Sequence, residues 1–520
     1  MSTAAIERYG LRAAALAPMV VLGGLTALLF ARLLPDVSAK PLHEDEAVAG
    51  LISARPLGDV LHTVVLDRGG APLHFLLVHV ALAVDPAPET LRWLSLVFAL
   101  ATMPLCYDLA RRLGGPLAGL TAAGLAVSSQ LLLVYGTFGR MYSLFAFASA
   151  LATDLFVRAL DRPTRATAVA AAAAALLPLA VHPFGAFLFA AEVLLALWLW
   201  RGRSFATAAP VIALAGLALP LLLADVRLSD RYAPEAGQDL DSGTSAGTAM
   251  LRALGGAAGG RGPVLALFVV LAAVGIVVVS RRRPAIAAFA CLAVAVAPAA
   301  LAAAAAAGAV SDRLGPRHLI FVLPLWLALV ATGAAKLAAL LPERLRAGVL
   351  AAVVLTAAFA PNAVAEPRTI STGERDAVAA PAAWLESRVA PGDVLYPYSP
   401  LFLAALPAAA GGRAYSREPV ALARAAARTG AVPTVFVSIP VRTSVSTARL
   451  QRAGIVFASF PSWLVLVARG PFADGTTALE ATAQLLARAG PLVTDSGAHA
   501  YLEQIHGSAC GALGRLGSGC

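Results

Sequence analysis

The chain has 520 residues, of which 59% are hydrophobic and only 13% charged, whereas soluble domains carry roughly 25% charge. That composition excludes an ordinary soluble globular protein. The net charge of +10 calls for no nucleic acid, because basic clusters between membrane spans follow the positive-inside rule, and the absence of period-two alternation excludes a β-barrel.

Residues 1–12 are polar and carry Glu7, Arg8 and Arg12. The first apolar run, 13–34, is long enough to cross a bilayer as a helix. No small-residue cleavage site follows it cleanly, so it reads as a retained helix and not as a removed signal peptide. Just beyond it lies a knot of charge, His43-Glu44-Asp45-Glu46, and then an amphipathic stretch over 46–66 expected to lie along the membrane surface. The apolar piece 71–84 begins with Ala71-Pro72. Its roughly 14 residues are too few to span, so a half-spanning segment is expected.

Further spans are expected at 91–110, 116–134, 138–157, 166–181, 184–200, 205–224, 263–280, 285–309, 317–341 and 345–361, which with 13–34 makes eleven. Arg111/Arg112, Arg158/Arg162/Arg165, Arg201/Arg203, Arg281/Arg282/Arg283 and Arg344/Arg346 fall in every second connection, as cytoplasmic turns should. The N-terminus is then inside. Loops 35–70 and 225–262 and everything after 361 lie outside.

From 362 the apolar runs shorten to strand length. Helices are expected over 376–390, 419–429 and 476–489, with strands beginning near Asp393, Thr434, Ile455 and Trp463. The last 30 residues are expected to be loosely ordered. The expected fold class is mainly α: a polytopic transmembrane helical bundle over 1–361, with a small extracytoplasmic α/β domain over 362–520. Cys106 and Cys291 sit in apolar runs and read as inert core residues. Cys510 and Cys520 lie in the polar tail, where a disulfide and two free thiols are equally open.

Four groups of residues have chemistry to offer. Glu44, Asp45 and Glu46 form the first. A carboxylate at a membrane face, desolvated and crowded by other acids, makes a general base for an acceptor hydroxyl. Their bland reading is a solvated helix N-terminus, where acids favour the macrodipole. Arg68, Arg92, Arg140 and Arg317 form the second, each at the outer edge of an apolar run, where arginine either binds a lipid phosphate or snorkels to headgroups. His74, His79, His182 and His318 form the third and show no metal-ligand spacing. His182-Pro183 breaks an apolar run and suits a cavity lining. Tyr135, Tyr142 and Tyr232 would stack on a sugar or anchor at the interface.

Five of these pieces, in order over the membrane half, resemble the GT-C class of membrane glycosyltransferases, in particular the protein-O-mannosyltransferase and lipid A aminoarabinose-transferase-like group. They are His43-Glu44-Asp45-Glu46, the segment from Gly70 to His79, Leu91-Arg92-Trp93-Leu94-Ser95, Gly139-Arg140-Met141-Tyr142, and the segment from Pro316 to Pro324. This chain departs from the pattern at Ala71, where the group has a second proline, and at Trp93-Leu94-Ser95. The resemblance implies Asp45 as general base, with Glu44 and Glu46 beside it. It implies donor and acceptor binding by His43, Arg68, His74, Arg92, Arg140, Tyr142, His182, Arg317 and His318. The implied partners are a polyprenyl-phosphate sugar, a glycan, lipid or protein acceptor, and membrane lipid. The implied location is the plasma membrane, with the active site on its outer face. No cofactor or metal is expected, with a divalent ion on the acidic cluster as the alternative. A multi-span transporter or flippase for a lipid-linked or anionic substrate is the rival reading, although no internal repeat supports it.

Overall fold

The computed structural model describes residues 3–38, 44–67, 71–87, 89–200, 216–224, 254–256, 259–296, 299–300, 303, 316–359, 380–381, 384–385, 387–390, 393–396, 431–441, 447–515, 517–518 and 520. His43, Arg68, most of the loop 225–262 and the expected helix 419–429 lie outside them. The chain divides into two compact units, one of Met1–Ser38 with Leu57–Pro367, the other of Ala39–Pro56 with Arg368–Cys520. The short segment carrying the acidic motif therefore groups with the C-terminal residues.

The helices run in chain order as α1 (Thr3–Ser38), α2 (Glu44–Ser53, in the second unit), α3 (Leu57–Leu61), α4 (Leu73–Val84), α5 (Thr90–Gly114), α6 (Pro116–Val127), α7 (Gln130–Tyr135), α8 (Tyr142–Asp161), α9 (Arg165–Val181), α10 (Gly185–Trp200), α11 (Pro263–Arg282), α12 (Pro284–Cys291), α13 (Leu323–Ala338) and α14 (Glu343–Phe359). Among the described residues, four stretches are long and apolar enough to cross a membrane: Ala17–Val37, Thr90–Gly114, Tyr142–Asp161 and Pro263–Arg282. Shorter apolar helices accompany them, including Arg165–Val181 and Leu323–Ala338. The molecule is a polytopic helical membrane protein. α4 has 12 residues, so it is roughly 18 Å long against a hydrocarbon core of about 30 Å.

Local chemistry sets the turns. Gly115 takes φ 91°, a conformation that glycine adopts without strain. Pro116 follows at the first helical position, where its missing N–H costs nothing, and the chain folds from α5 straight into α6. α13 is buried from Leu323 through Ala334 except at the half-buried Trp326, and packs against α5, α6, α11 and α14. Its approach to α11 is close because both carry glycine at the crossing. A Cβ on Gly333 would sit 3.0 Å from the Gly275 amide nitrogen and against the Leu271 carbonyl oxygen, and one on Gly275 would meet the Leu329 carbonyl. Small residues let membrane helices pack backbone to backbone in this way.

Several expected elements differ from the sequence reading. The run 116–134 is not one helix. It breaks at Ser128-Ser129, where the Ser129 hydroxyl accepts from the Leu132 N–H (3.5 Å) and restarts the chain as α7. The next run begins helical structure only at Tyr142, after a turn over 136–141. The amphipathic stretch 46–66 is likewise not continuous: α2 stops at Ser53 and α3 begins at Leu57, because Pro56 disfavours helical backbone in the residue before it.

One end of the bundle is ionic. Asp108 on α5 accepts from Arg111 (Nε, 3.0 Å), Arg112 (Nε, 2.8 Å) and Arg158 of α8 (Nη2, 2.8 Å). Asp154, 0% exposed, faces Arg158 at 2.7 Å and Arg112 at 3.4 Å. Arg283 reaches Asp161 (3.3 Å) and donates to the Arg112 carbonyl (2.8 Å). Three of the arginine clusters expected on one side of the membrane thus meet at one end.

In the second unit, β1 (Val394–Tyr396), β2 (Val432–Pro440), β3 (Phe457–Phe460) and β4 (Trp463–Phe472) form one sheet in the order β1-β2-β4-β3. β1 runs parallel to β2, and the other pairs are antiparallel. The register sets Val435 opposite Ala468, Val437 opposite Leu466 and Ile439 opposite Leu464. Alternation puts all six on one face, where they form a core with α16 (Gly475–Ala489) and α17 (Ser496–Arg515). A short α15 (Thr447–Arg452) precedes β3. The expectation of a loose tail is corrected by α17. Ala498, Leu502, Ile505, Ala509 and Leu513 recur at helical spacing and are all buried. Cys510 and Cys520 form a disulfide. Cys106 is buried as expected, whereas Cys291 is exposed.

Candidate active site

At the opposite end of α5 and α8 from the ionic cluster, the bundle is irregular, and six of the polar residues singled out from the sequence collect there. The turn 136–141 exists because Gly136 leaves no side chain between Leu33 and the end of α7. A Cβ there would lie 2.7 Å from Leu33 Cδ1 and against the Leu132 carbonyl. Two serines fix the turn. Ser95 of α5 donates to the Phe138 carbonyl (2.7 Å), and Ser143 donates to the Tyr135 carbonyl (2.6 Å). This holds Arg140 and Tyr142 in place. Neither serine stands out in the sequence, since hydroxyl side chains are common in membrane helices. Ser95 nonetheless closes the segment that begins at Leu91.

Three aromatic rings surround the turn. Tyr142 packs on Tyr135 (centroids 4.8 Å apart) and stacks on Phe138 (6.1 Å, 17° between planes). The second break, at His182-Pro183, separates α9 from α10. His182 is buried and stacks on Phe145 at 4.9 Å and 19°. Its Nδ1 accepts from the Phe184 N–H at 3.1 Å, so in the neutral ring the proton sits on Nε2. The third piece is the short 3-10 turn Pro316–Leu319. Arg317 Nε donates to His318 Nε2 (3.4 Å), and the Arg317 guanidinium carbon lies 6.0 Å from the Tyr142 ring centroid. His318 is 6.4 Å from His182, centroid to centroid, and Phe184 packs edge-on against it at 5.0 Å.

His74 stands in the first turn of α4, 2% exposed and edge-on to Phe75. It bonds the Gly139 backbone, and Arg140 is near enough for its charge to act on both His74 and His182. His74 Nε2 has no hydrogen-bond partner among the described residues. Six sequence candidates (His74, Arg140, Tyr142, His182, Arg317 and His318) therefore fall in one neighbourhood, although 244 positions separate the first from the last in the chain. Such a set of arginines, imidazoles and a tyrosine complements the negative charge and acceptor oxygens of a phosphate ester.

Arg92 is placed differently. It is buried, and its Nη1 lies 3.4 Å from the carbonyl oxygens of both Asp36 and Val37. It thus closes the C-terminal end of α1, whose last carbonyls have no helical partner. In the acidic motif, Glu44, Asp45 and Glu46 are the first three residues of α2. Glu46 is buried on the side that also carries Ala49 and Ser53. Among the described residues, the group whose donor atoms lie close enough to share a metal ion is His506, Cys510 and Cys520; it is not one of the sets expected from the sequence.

The long crossing helices, the broken segments at one end and the appended α/β unit define the class: the chain has the GT-C fold of polytopic membrane glycosyltransferases. It is similar to ArnT, the aminoarabinose transferase, from Cupriavidus metallidurans in the apo state, with a TM-score of 0.56 and 14% identity over 88% of this chain and 98% of that one. It is similar to the same protein bound to undecaprenyl phosphate, with a TM-score of 0.55 and 13% identity over 86% and 97% of the two chains. The oligosaccharyltransferase of Archaeoglobus fulgidus, in complex with Zn and sulfate, matches with a TM-score of 0.51 and 11% identity over 82% of this chain and 69% of that one. No protein-family model matches the sequence, and no curated protein sequence does so.

Proposed function

We propose that this protein is an integral membrane glycosyltransferase that moves a hexosyl or pentosyl group from a polyprenyl-phosphate donor to an acceptor hydroxyl on the extracytoplasmic side. The observation that carries the reading is the gathering of Arg140, Arg317, His74, His182, His318 and Tyr142 at the irregular end of a GT-C bundle. The similarity to a structure bound to undecaprenyl phosphate supports the lipid class of the donor. The acceptor is a glycan, a lipid or a protein.

In the proposed reaction the acceptor oxygen attacks the anomeric carbon. The bond from that carbon to the phosphate oxygen breaks, and polyprenyl phosphate departs with the electron pair. Asp45 takes the acceptor proton, with Glu44 and Glu46 next to it on α2. Phosphate leaves readily, so the protein's work is to position the reactants and stabilise charge. Arg140 and Arg317 supply cations for the leaving group. His182 supplies a neutral donor through Nε2–H, and His74 lies beside Arg140 at the same site. Arg68 and His43 complete the donor and acceptor contacts in this scheme, and Arg92 acts by fixing the end of α1, which precedes His43 in sequence.

The test is turnover by the full chain in lipid nanodiscs supplied with a panel of polyprenyl-phosphate sugars and read as free polyprenyl phosphate. Asp45→Asn should abolish release while donor binding persists. Release that survives this substitution removes Asp45 from the base role, and no release from any donor overturns the enzyme reading.

A further inference from the structure

His506 and Cys510 lie one helical turn apart on α17, so their side chains share a face. Cys520 returns to the same spot through the glycine-containing segment after the helix, where Gly517 adopts φ +79°, and its Cα comes within 5.1 Å of that of Cys510. His506 Nε2 is 3.4 Å from Cys510 Sγ and 4.0 Å from Cys520 Sγ. A disulfide has no need of an imidazole facing both of its sulfurs. A tetrahedral metal site does. With metal–sulfur bonds of about 2.3 Å and metal–nitrogen bonds of about 2.0–2.1 Å, the nitrogen–sulfur edge is roughly 3.6 Å, and the two observed distances bracket it.

We propose that His506, Cys510 and Cys520 form a redox-gated site for a thiophilic divalent cation of the zinc class. The disulfide and the metal site exclude one another, because both use the same two sulfurs. A thiol or phosphine reductant supplies two electrons, and two protons complete the conversion of the disulfide to two thiols. The cation then binds both thiolates and His506 Nε2 and displaces two protons, with solvent in the fourth position. The sulfurs must separate to roughly 3.8 Å for this. The site belongs to the C-terminal unit and is independent of the glycosyl-transfer reading.

The experiment uses full-length protein in nanodiscs with Cys106→Ala and Cys291→Ala, so that only these two thiols remain, and cobalt(II) as the probe. Reduced, chelator-stripped protein should take up one equivalent of cobalt. It should show the intense thiolate charge-transfer absorption and the visible bands of a tetrahedral ion. The oxidised form of the same protein should show neither, and His506→Ala should weaken binding by about tenfold or more. Equal cobalt binding by oxidised and reduced protein overturns the proposal. So does a reduced protein without thiolate absorption, or binding indifferent to His506→Ala. The oxidised and reduced forms share one sequence, so the central comparison does not depend on a variant folding.

Discussion

The imidazole of His182 lies flat against the ring of Phe145, 4.9 Å away and 19° from parallel, and its Nδ1 is committed to the Phe184 N–H. Packing fixes the plane of the ring, and the turn fixes which nitrogen carries the proton. Nε2 carries the proton of the neutral ring, and in the proposed reaction it is the donor. Asparagine at this position retains an acceptor for an N–H two residues on but lacks that donor. His182→Asn should lower polyprenyl-phosphate release by roughly 10²-fold, the scale of losing one placed donor. Lost ring burial should cost about 1–2 kcal/mol in stability. Full activity with the same stability loss would leave His182 as packing alone.

Arg317 sits between His318, through its Nε, and the face of Tyr142. Its charge and forked geometry, not its bulk, are what a phosphate requires. Arg317→Gln should raise the KM for donor about tenfold or more, in line with about 1.5–3 kcal/mol for a hydrogen bond to a charged group, with a smaller effect on kcat. Steady-state kinetics over a donor titration measures the split. An unchanged KM would detach Arg317 from the donor.

The ionic end of the bundle should govern stability and not catalysis. Arg158 serves both Asp108 and the fully buried Asp154. Removing one partner of a buried pair leaves an uncompensated charge, which ordinarily costs 3–5 kcal/mol. Arg112 remains beside Asp154, so Arg158→Ala should cost about 2–3 kcal/mol. Thermal unfolding in detergent reads the loss. Joint replacement, Asp154→Leu with Arg158→Leu, should recover most of it.

Where α11 crosses α13, any side chain is too much. Gly333→Val would drive methyl groups into the Leu271 carbonyl. Overpacking of this kind costs about 1–3 kcal/mol. The melting temperature of the membrane unit should fall. Gly348, with open space around it, gives the control: Gly348→Ala should leave that temperature unchanged or raise it.

In the C-terminal unit, Asp474 caps α16 by accepting from the Thr477 N–H (2.8 Å), while the Thr477 hydroxyl bonds back to the Asp474 N–H (3.2 Å). The Thr477 backbone N–H first, and its hydroxyl second, hold the Asp474 carboxyl below the usual carboxylate range. A carboxyl lowered on folding contributes stability that is present above its unfolded pKa of 3.8 and lost as pH falls through the folded value. Denaturant unfolding at pH 5 and at pH 3 should therefore show a smaller acid-side loss for Asp474→Asn, which keeps a capping oxygen, than for the unaltered protein.

The membrane class, most helix positions and the strand positions of the C-terminal unit follow from the sequence, because hydrophobic period and run length are local properties. The pairing of short motifs with arginine, histidine and tyrosine marked His74, Arg140, Tyr142, His182, Arg317 and His318 individually. It had no means of bringing them together, because their meeting depends on breaks at Ser128-Ser129, Gly136 and His182-Pro183, and on hydroxyls of Ser95 and Ser143 that bond to carbonyls dozens of residues away or across a turn. Arg92 shows the reverse. By type and position it resembles the other arginines, and only the fold reveals that it closes the end of α1. The tail shows the same dependence. Spread over a polar, glycine-containing stretch, its apolar residues look sparse, but their helical spacing becomes a buried face once the sheet of Val435, Val437 and Leu466 is present to receive it. Local pattern determined what each segment is. Long-range packing, in which a residue's partners lie far away in the chain, determined what each side chain can do.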